Sequence, residues 1–521
     1  MTHRHTIAAT VGAGLALADA SVVVLALPPI LTEFDASVEA IAAVIGAYTL
    51  TLAAALPIAI RCTRAYQATR LAAPGMLGFA LASAACGMTA AIAPLIALRA
   101  AQGAFAAVVL VAAFELLNAG QPGGSRPRAW VNAAVIGAAI GPALGGALTE
   151  LLDWRAIFLL QAPIIAAAGL MCRTPAPVST GASRSPSAGR PLPTATAVCL
   201  ALLSAALTGV LFLAVLLLIV GWGHAPLAAA AVISVLPLGA LLGTGAPGGH
   251  AARAIIGCTL VGIGVLCLAF LPLDTVAMTI VPLLFAGLGM GMALPALAGG
   301  LLPERSATDA ARLLAIRHLG ITLALAALAP IAAAQLDGAA DRIRERGTAL
   351  ILDARLPPED KLQLAQAGAA DLDGIAPRTA LRNAFDQAGD DIGARDRSEY
   401  DRLRRRIDES LVMGINVAFA PTFVICGTLG LLAACGLLIT IRPKLRSGAL
   451  ATCAGAALLV PGQAALAATA RPDKVTIADP CAHRRLPGTD GVGGLLQYAR
   501  SSCSTQPPAS SAPRARNWRS R

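Results

Sequence analysis

The amino-acid sequence predicts an all-α membrane protein, a bundle of 12 transmembrane helices arranged as two six-helix halves. Three observations carry this prediction. Hydrophobic residues make up 56% of the 521 residues and charged residues only 13%, with a mean hydropathy of +0.71, a balance typical of proteins that cross a membrane several times. Apolar runs of about 17 to 25 residues, long enough to span the hydrocarbon core, recur along the chain. Arginines cluster in every second connection between those runs, which indicates that successive connections lie on alternate sides of the membrane.

The apolar runs follow one another along most of the chain. Twelve of them lie near residues 7–30, 38–60, 72–92, 94–118, 130–151, 155–172, 195–220, 225–246, 254–272, 276–301, 313–336 and 411–441. The first run is long enough to span and is followed by a second, so we expect no cleavable signal peptide there. A weaker run, 447–470, is rich in Ala and Gly. It is either a 13th span or a signal-like segment that is cleaved after its Ala-x-Ala residues.

The charges in the connections predict the orientation. The connection 61–71 holds Arg61, Arg64 and Arg70 and no acid, and the linker 173–194 also holds three arginines and no acid. Acids stand in the connections of the opposite side, namely Glu33, Asp35, Asp153 and Asp274. Because positive residues accumulate on the cytoplasmic side, we expect a cytoplasmic N-terminus in a multi-pass inner-membrane protein.

The linker divides the spans into two groups. Residues 173–194 are rich in Ser, Pro and Gly and predict a flexible cytoplasmic connection. It separates an N-terminal six-helix half, 1–172, from spans seven to eleven, 195–336. A bundle in two halves is typical of transporters that work by alternating access, with a substrate site near the middle of the bilayer.

Further segments complete the predicted organisation. An insertion, 337–410, precedes span 12 at 411–446 and holds 16 of the chain's 29 acidic residues. Its alternating charges indicate solvated helices and predict an extracytoplasmic helical cap, with binding of a partner as the alternative. The tail 471–521 is expected to be disordered. Cys481 and Cys503 lie in it, and whether they pair stays open.

The run from Gly137 to Leu148 combines glycines with a proline inside the fifth span, a choice that would destabilise a soluble helix. In lipid, small residues at four-residue spacing let two helices approach closely. Gly137, Gly141 and Gly145 fall on one face, beside Gly146, and Pro142 can bend the helix. The run therefore indicates either a moving interface or close helix packing alone.

Charged residues inside predicted spans are functional candidates, because an ionised side chain at the bilayer centre costs about 2.5–3.5 kcal/mol. Asp19 lies midway through the first span. Desolvation favours the neutral form of its carboxyl group, which could exchange a proton near neutral pH and compete for a cationic substrate. The alternative is a structural carboxyl bonded to a neighbouring helix. Glu115, in the last turns of the fourth span, either lines the central cavity or simply reaches water at the cytoplasmic end. Arg317 and His318 lie toward the cytoplasmic end of the eleventh span, where His318 is either a polar contact or, because histidine titrates near neutrality, a proton carrier.

Several short motifs resemble one known family. They are Asp19 to Pro28 in the first span, Tyr48-Thr49-Leu50 in the second, Leu98 to Gly103 in the fourth with Arg99 and Gln102, Gly137 to Gly146 in the fifth, Trp154 to Phe158 at the start of the sixth, and Arg317 to Gly320 in the eleventh. On these residues the sequence resembles the major facilitator superfamily, specifically its drug:proton antiporter branch, over residues 5–335 and 411–441.

The resemblance implies a proton-coupled secondary transporter that exports small amphipathic or cationic compounds by alternating access. Its implied partners are the small-molecule substrate, protons and the lipid bilayer, and the chain is expected to act as a monomer. We expect no enzymatic reaction, because the sequence shows no catalytic constellation, and no metal or cofactor beyond the proton gradient. We also expect no nucleic acid, because the arginines behind the net charge of +11 lie between apolar segments.

Roles of individual residues follow partly from the charge arguments above and partly from the resemblance. Proton coupling or substrate binding is assigned to Asp19, Arg99, Glu115 and Arg317, and for Arg99 it is the resemblance that implies a role in proton transfer. The antiporter motif and helix packing are assigned to Gly137, Gly141, Pro142, Gly145 and Gly146. Supporting positions are Tyr48, Gln102 and Gly103.

The connection after the second span departs from the family pattern. Family members carry Gly, Asp and Gly there as a conformational latch, whereas this sequence has Ile60, Arg64 and Gln67. A base in place of the acid cannot form the usual charge relay. Either another contact latches the halves, or the transport cycle is altered. The alternative function is therefore a transporter-like membrane scaffold or sensor whose insertion binds a partner.

Overall fold

A computed structural model describes most of the chain up to residue 441. The described residues are 3–118, 140–173, 194–272, 274–301, 307–355 and 397–441, with short pieces at 357–358, 361–362, 378, 382–383 and 385–387. Gly137, the linker 174–193, the run 447–470 and the tail with Cys481 and Cys503 lie outside them.

The regular structure of the described residues is helical and contains no strand. Nine of these helices are long and apolar enough to cross a membrane, or ten if the pair Ile140–Leu151 and Arg155–Met171, bent by 120°, counts as one span. The predicted all-α membrane fold is thereby confirmed, while the number of 12 spans stays a prediction.

The described residues of the first half form seven α-helices. They are α1 His3–Val23, α2 Leu27–Glu33, α3 Val38–Tyr66, α4 Ala68–Gly87, α5 Ile92–Asn118, α6 Ile140–Leu151 and α7 Arg155–Met171. A 3₁₀ turn, Val24–Ala26, joins α1 to α2. Pro28 and Pro29 follow it in the first turn of α2, where their missing N–H groups cost little.

The described residues of the second half form seven further α-helices. They are α8 Thr194–Val215, α9 Pro226–Ile233, α10 Val235–Thr244, α11 His250–Leu268, α12 Val276–Leu301, α13 Ala307–Asp353 and α14 Arg397–Ile441. A π-helical segment, Leu216–Gly221, ends α8. In this half α11 packs on α12 and α14, and α8 packs on α13 and α14.

Small residues allow the closest helix contacts. A Cβ atom on Gly291 of α12 would lie 1.9 Å from the carbonyl oxygen of Ala240 in α10, and one on Gly103 of α5 would lie 2.2 Å from that of Tyr48 in α3. Such distances are possible only for glycine. Backbones in this bundle therefore pack directly on one another at these two glycines.

Two predicted connections differ from the structure. The connection 61–71 is helical except at Gln67, because α3 continues to Tyr66 and α4 begins at Ala68. The insertion 337–410 is not separated from its neighbouring spans by a helix break, since α13 runs on to Asp353 and α14 starts already at Arg397. The predicted boundaries followed the positions at which charged residues begin. A helix can continue past that point into its polar sequence, as α3, α13 and α14 do.

Candidate functional site

A fully buried ion pair lies inside the first half. Oδ2 of Asp19 in α1 lies 2.6 Å from Nη2 of Arg99 in α5, and neither side chain is exposed. Asp19 lies near the midpoint of the apolar run His3–Glu33. The structure thus joins two residues that the sequence indicated separately, near the middle of a span.

Neighbouring groups hold the arginine. Nη1 of Arg99 donates a hydrogen bond to Oε1 of Gln102 at 2.7 Å, and its Nε donates to the carbonyl oxygen of Val44 at 3.2 Å. Nε2 of Gln102 donates to Oδ1 of Asp19 at 3.4 Å. Because Gln102 contacts both charged groups, a proton on Asp19 would alter the hydrogen bonding of the whole cluster.

Aromatic rings close the site on two sides. The guanidinium of Arg99 lies 4.4 Å from the ring centre of Tyr48 and 5.6 Å from that of Phe158. The hydroxyl of Tyr48 donates to the carbonyl oxygen of Ala16 at 2.7 Å and so joins α3 to α1. These contacts give Arg99 cation–π neighbours in a place without water contact.

Two other candidate residues are not part of this cluster. Glu115 is half-buried on α5, 16 residues beyond Arg99, which is about 24 Å along a helix. Arg64 is the cation that acts on it electrostatically. Arg317 is half-buried on α13, and in the described part of the chain it makes no hydrogen bond or ion pair. The structure therefore does not bring Asp19, Glu115 and Arg317 together.

The glycines of the fifth span lie against both halves. A Cβ atom on Gly145 would lie 2.4 Å from the carbonyl oxygen of Val22 in α1, and one on Gly141 would lie 2.1 Å from Oγ of Ser21. A Cβ atom on Gly146 would lie 2.2 Å from that of Ala230 in α9. Pro142 is buried in the same helix. One face of α6 therefore approaches α1 while the adjacent face touches the second half.

Polar contacts connect the halves. Oγ1 of Thr49 in α3 and Oγ1 of Thr322 in α13 lie 2.9 Å apart, and Nη2 of Arg64 donates to Oγ1 of Thr308 at 2.7 Å. At the end of α6, Glu150 accepts a hydrogen bond from the backbone N–H of Leu227 at 2.7 Å. Sequence reasoning missed Thr308, Thr322 and Leu227, because common polar residues and backbone groups carry no distinctive pattern.

A second polar cluster lies where the second half meets the insertion. Arg378 contacts Asp408 through Nε at 2.8 Å and through Nη2 at 2.7 Å, and its Nη2 lies 2.6 Å from Oδ2 of Asp274. Its Nη1 donates to the carbonyl oxygen of Trp222 at 3.1 Å. Burial opposes the charge of Arg378, but its bonds to the two aspartates outweigh burial and raise the pKa of its guanidinium. The same cluster lowers the pKa of His224, through burial first and then the charge of Arg378.

Metal binding has no support in the described ranges. No group of three or more His, Cys, Asp or Glu side chains lies close enough there to hold an ion.

Comparison with known proteins identifies one family. Residues 9–330, more than half of the chain, match the family model of the Major Facilitator Superfamily. The puromycin resistance protein pur8 of Streptomyces alboniger is 38% identical over 163 residues, which are 30% of this chain and 32% of that protein. The cephamycin export protein CmcT of Amycolatopsis lactamdurans is 33% identical over 154 residues, 29% of this chain and 32% of that one. The matched region is thus about a third of each curated relative's length.

Solved structures resemble the fold. A bacterial homologue of the human lysosomal transporter Spinster, in an inward-facing and occupied conformation, superposes with a TM-score of 0.58 at 15% sequence identity. The superposition covers 85% of this chain and 97% of that one. At this identity the likeness concerns the fold alone.

Proposed function

This chain belongs to the Major Facilitator Superfamily, and from that premise we propose that it is a proton-coupled exporter of small amphipathic or cationic compounds. The family consists of membrane transporters and not of enzymes, so the expectation that the chain is no enzyme is confirmed at the level of the family. The chain is a multi-pass membrane protein. Export, proton coupling and alternating access between the two halves are the proposed part.

The buried pair of Asp19 and Arg99 is the observation that carries the proposal. A carboxylate and a guanidinium are 2.6 Å apart with no exposed surface on either, an arrangement that is costly to maintain unless both charges are compensated. Removal of one charge by a proton would leave the other uncompensated. Protonation of Asp19 therefore favours a different packing of α1 against α5, and a cationic substrate could take the place of the proton beside the carboxylate.

The direction of transport and the membrane location of the protein are proposed on further grounds. Export is supported by the relatives, one of which is a resistance protein and another an export protein. We place the chain in the bacterial inner membrane as a monomer surrounded by lipid, with a cytoplasmic N-terminus and the insertion on the opposite side. This orientation is supported by the arginine-rich connections. The proton gradient supplies the energy, and no cofactor enters the proposal.

Substrate-driven proton flux tests the proposal. The purified protein is reconstituted into proteoliposomes and challenged with a panel of amphipathic cations that includes puromycin. We expect at least one compound to release protons with the wild type and flux to fall to background in Asp19→Asn. Glu33→Gln is the matched control, because it makes the same chemical change in a pair with Arg155 whose side chains are 38% and 27% exposed.

Each outcome separates the parts of the proposal. Flux that survives in folded Asp19→Asn would keep the transporter and remove Asp19 from proton coupling. Equal loss in Glu33→Gln would point to a general effect on the fold. The absence of flux with every compound, from folded wild-type protein, would contradict proton-coupled export of this substrate class.

A further inference from the structure

The insertion carries a cavity that the transport site does not use. It has a volume of about 350 Å³ and is lined by Arg382, Phe385, Arg404, Arg405 and Asp408. We call it the arginine cavity. Its described lining residues contribute three guanidinium groups and one carboxylate, an excess charge of +2.

Buried aromatic residues support the wall of the arginine cavity. Phe385 is 3% exposed and Tyr400 only 1%. Their ring centres are 5.7 Å apart, and the hydroxyl of Tyr400 donates to the carbonyl oxygen of Phe385. Tyr400, Arg404 and Asp408 are spaced four residues apart on α14 and therefore share one face of it. The cavity is thus part of a packed element and does not consist of loose surface side chains alone.

Asp408 supplies the one carboxylate among the described lining residues, and that carboxylate is already engaged. Both oxygens of Asp408 accept hydrogen bonds from Arg378, at 2.8 and 2.7 Å. Nε of Arg382 lies 3.8 Å from Asp408, outside hydrogen-bonding distance, and Arg404 pairs with Asp386 at 2.7 Å. Among the described residues Arg405 has neither an ion pair nor a hydrogen bond. Arg382 and Arg405 therefore keep donors free for a ligand.

The chemistry of the lining identifies the class of ligand. Guanidinium groups donate in a planar fork that matches phosphate and carboxylate oxygens. A phosphate monoester carries a charge of about −1.5 to −2 near pH 7, which matches the excess of the lining better than a single carboxylate does. The volume is at the lower end of small-molecule sites, about 300 to 1,000 Å³. We propose that the arginine cavity binds a phosphate-monoester group, with Arg382 and Arg405 as its main ligands.

Two sources could supply this group. One is a soluble phosphate or phosphate monoester, and the other is the headgroup of phosphatidic acid in the membrane. The purified full-length protein is therefore titrated with inorganic phosphate in neutral detergent, at constant ionic strength set by chloride. It is also placed in nanodiscs of phosphatidylcholine with and without phosphatidic acid. Both arms are read by the shift of the unfolding midpoint.

Two variants on the same helix give a matched comparison. Both arginines are exposed on α14, but Arg405→Gln removes a charge from the lining, whereas Arg406→Gln removes one from a position outside it. We expect Arg405→Gln to weaken the phosphate response about tenfold, the effect of one lost charge-assisted contact, and Arg406→Gln to leave it unchanged. Unfolding without phosphate shows that both variants fold.

Either arm can support the proposal, and their joint failure overturns it. A response to inorganic phosphate that depends on Arg405 indicates a soluble ligand. A response to phosphatidic acid alone, again dependent on Arg405, indicates a lipid headgroup. Equal responses of the two variants, or no response beyond that to chloride in either arm, would overturn the proposed site.

Discussion

Arg64 shows how a single residue changes a contact. It stands where the family resemblance leads one to expect an aspartate, and it donates a hydrogen bond to Thr308 in the first turn of α13 at 2.7 Å. An acid there could interact favourably with the positive end of that helix, which a base cannot. The hydroxyl group of Thr308 supplies an acceptor instead. In this chain Arg64 therefore joins the two halves through a hydrogen bond to a hydroxyl group.

Gln67 occupies a backbone conformation that favours glycine. It is the single residue between α3 and α4, with φ +67° and ψ 141°. A residue with a Cβ atom at such angles costs about 1–3 kcal/mol. The Gly of the family pattern would avoid that strain, so the departure at this position destabilises the junction.

We expect Gln67→Gly to raise the stability of the protein by about 1 kcal/mol, because relief of strain exceeds the added entropy of the unfolded chain. The unfolding midpoint in mild detergent measures the change. Gln67→Ala is the control, since alanine keeps the Cβ atom and should bring no gain. A glycine variant no more stable than the alanine variant would argue against strain at this junction.

At the scale of elements, α6 packs so closely against neighbouring helices on two faces that its glycines there leave no room for a larger side chain. Gly145 packs on the backbone of α1, and Gly146 packs on α9 of the second half, where Ala230 and the carbonyl oxygen of Pro226 lie within 3 Å of an added Cβ. Spacing in the sequence indicated close packing. It could not tell which glycine would face which helix.

Gly146→Ala is expected to wedge α6 from α9. Overpacking of this kind typically costs about 1–3 kcal/mol, so the unfolding midpoint should fall and transport should decrease. Gly46→Ala in α3 is the matched control, because nothing lies within 4 Å of its added Cβ. If both variants behaved alike in unfolding and transport, the contact between α6 and α9 would have no special importance.

We expect the connection between α8 and α9 to respond to pH through His224. Burial, followed by the charge of Arg378, lowers its pKa in the folded protein below the usual 6.5, against the attraction of Asp274. The unfolded chain then binds more protons than the folded one below about pH 6.5. Stability contributed by neutral His224 is therefore complete above that pH and is lost as the pH falls toward the lowered value.

We expect the unfolding midpoint of the wild type to decrease from pH 7 to pH 5, and His224→Gln to reduce this decrease. The comparison of the two proteins isolates His224 from other groups that titrate in the same range. His250→Gln is the control, because that residue is exposed at the start of α11. An equal pH dependence in wild type and His224→Gln would contradict the role of His224.

At the scale of the whole molecule, the two halves touch at both ends of the bundle. The bond of Arg64 to Thr308 lies at the end of α3. The bond of Glu150 to Leu227 lies at the other end, near the start of α3. Glu150 stands just before Trp154, whose Nε1 donates to Glu33 at 2.6 Å, and Glu33 precedes α3 by only a few residues. Between them Thr49 meets Thr322. Alternating access requires these contacts to open at one end at a time.

A disulfide across the halves should stop transport. In Thr49→Cys/Thr322→Cys the new thiols replace hydroxyls that are 2.9 Å apart, so oxidation should link α3 to α13 and abolish flux until a reductant restores it. Thr51→Cys/Thr322→Cys is the matched control, since Thr51 bonds within its own helix to Ala47. Full transport by the linked protein would show that α3 and α13 need not separate.

Local properties of the sequence determined much of this molecule. Apolar length and charge placement predicted membrane helices, because crossing a bilayer depends on each segment's own hydropathy. The cost of an ionised group in lipid identified Asp19 without knowledge of its partner. The helix ends were less predictable, as α13 and α14 continue well into the insertion.

Only the tertiary structure decided the partners. Asp19 meets Arg99 across 80 positions and Thr49 meets Thr322 across 273. Such pairs depend on how each helix is rotated and how deep it lies in the bundle. Small differences in packing determine both, and no local sequence pattern encodes them. The arginine cavity has the same origin, because it exists only where the piece around Phe385 packs on one face of α14. Hydropathy is a property of each segment by itself, whereas a site is a property of the helices together.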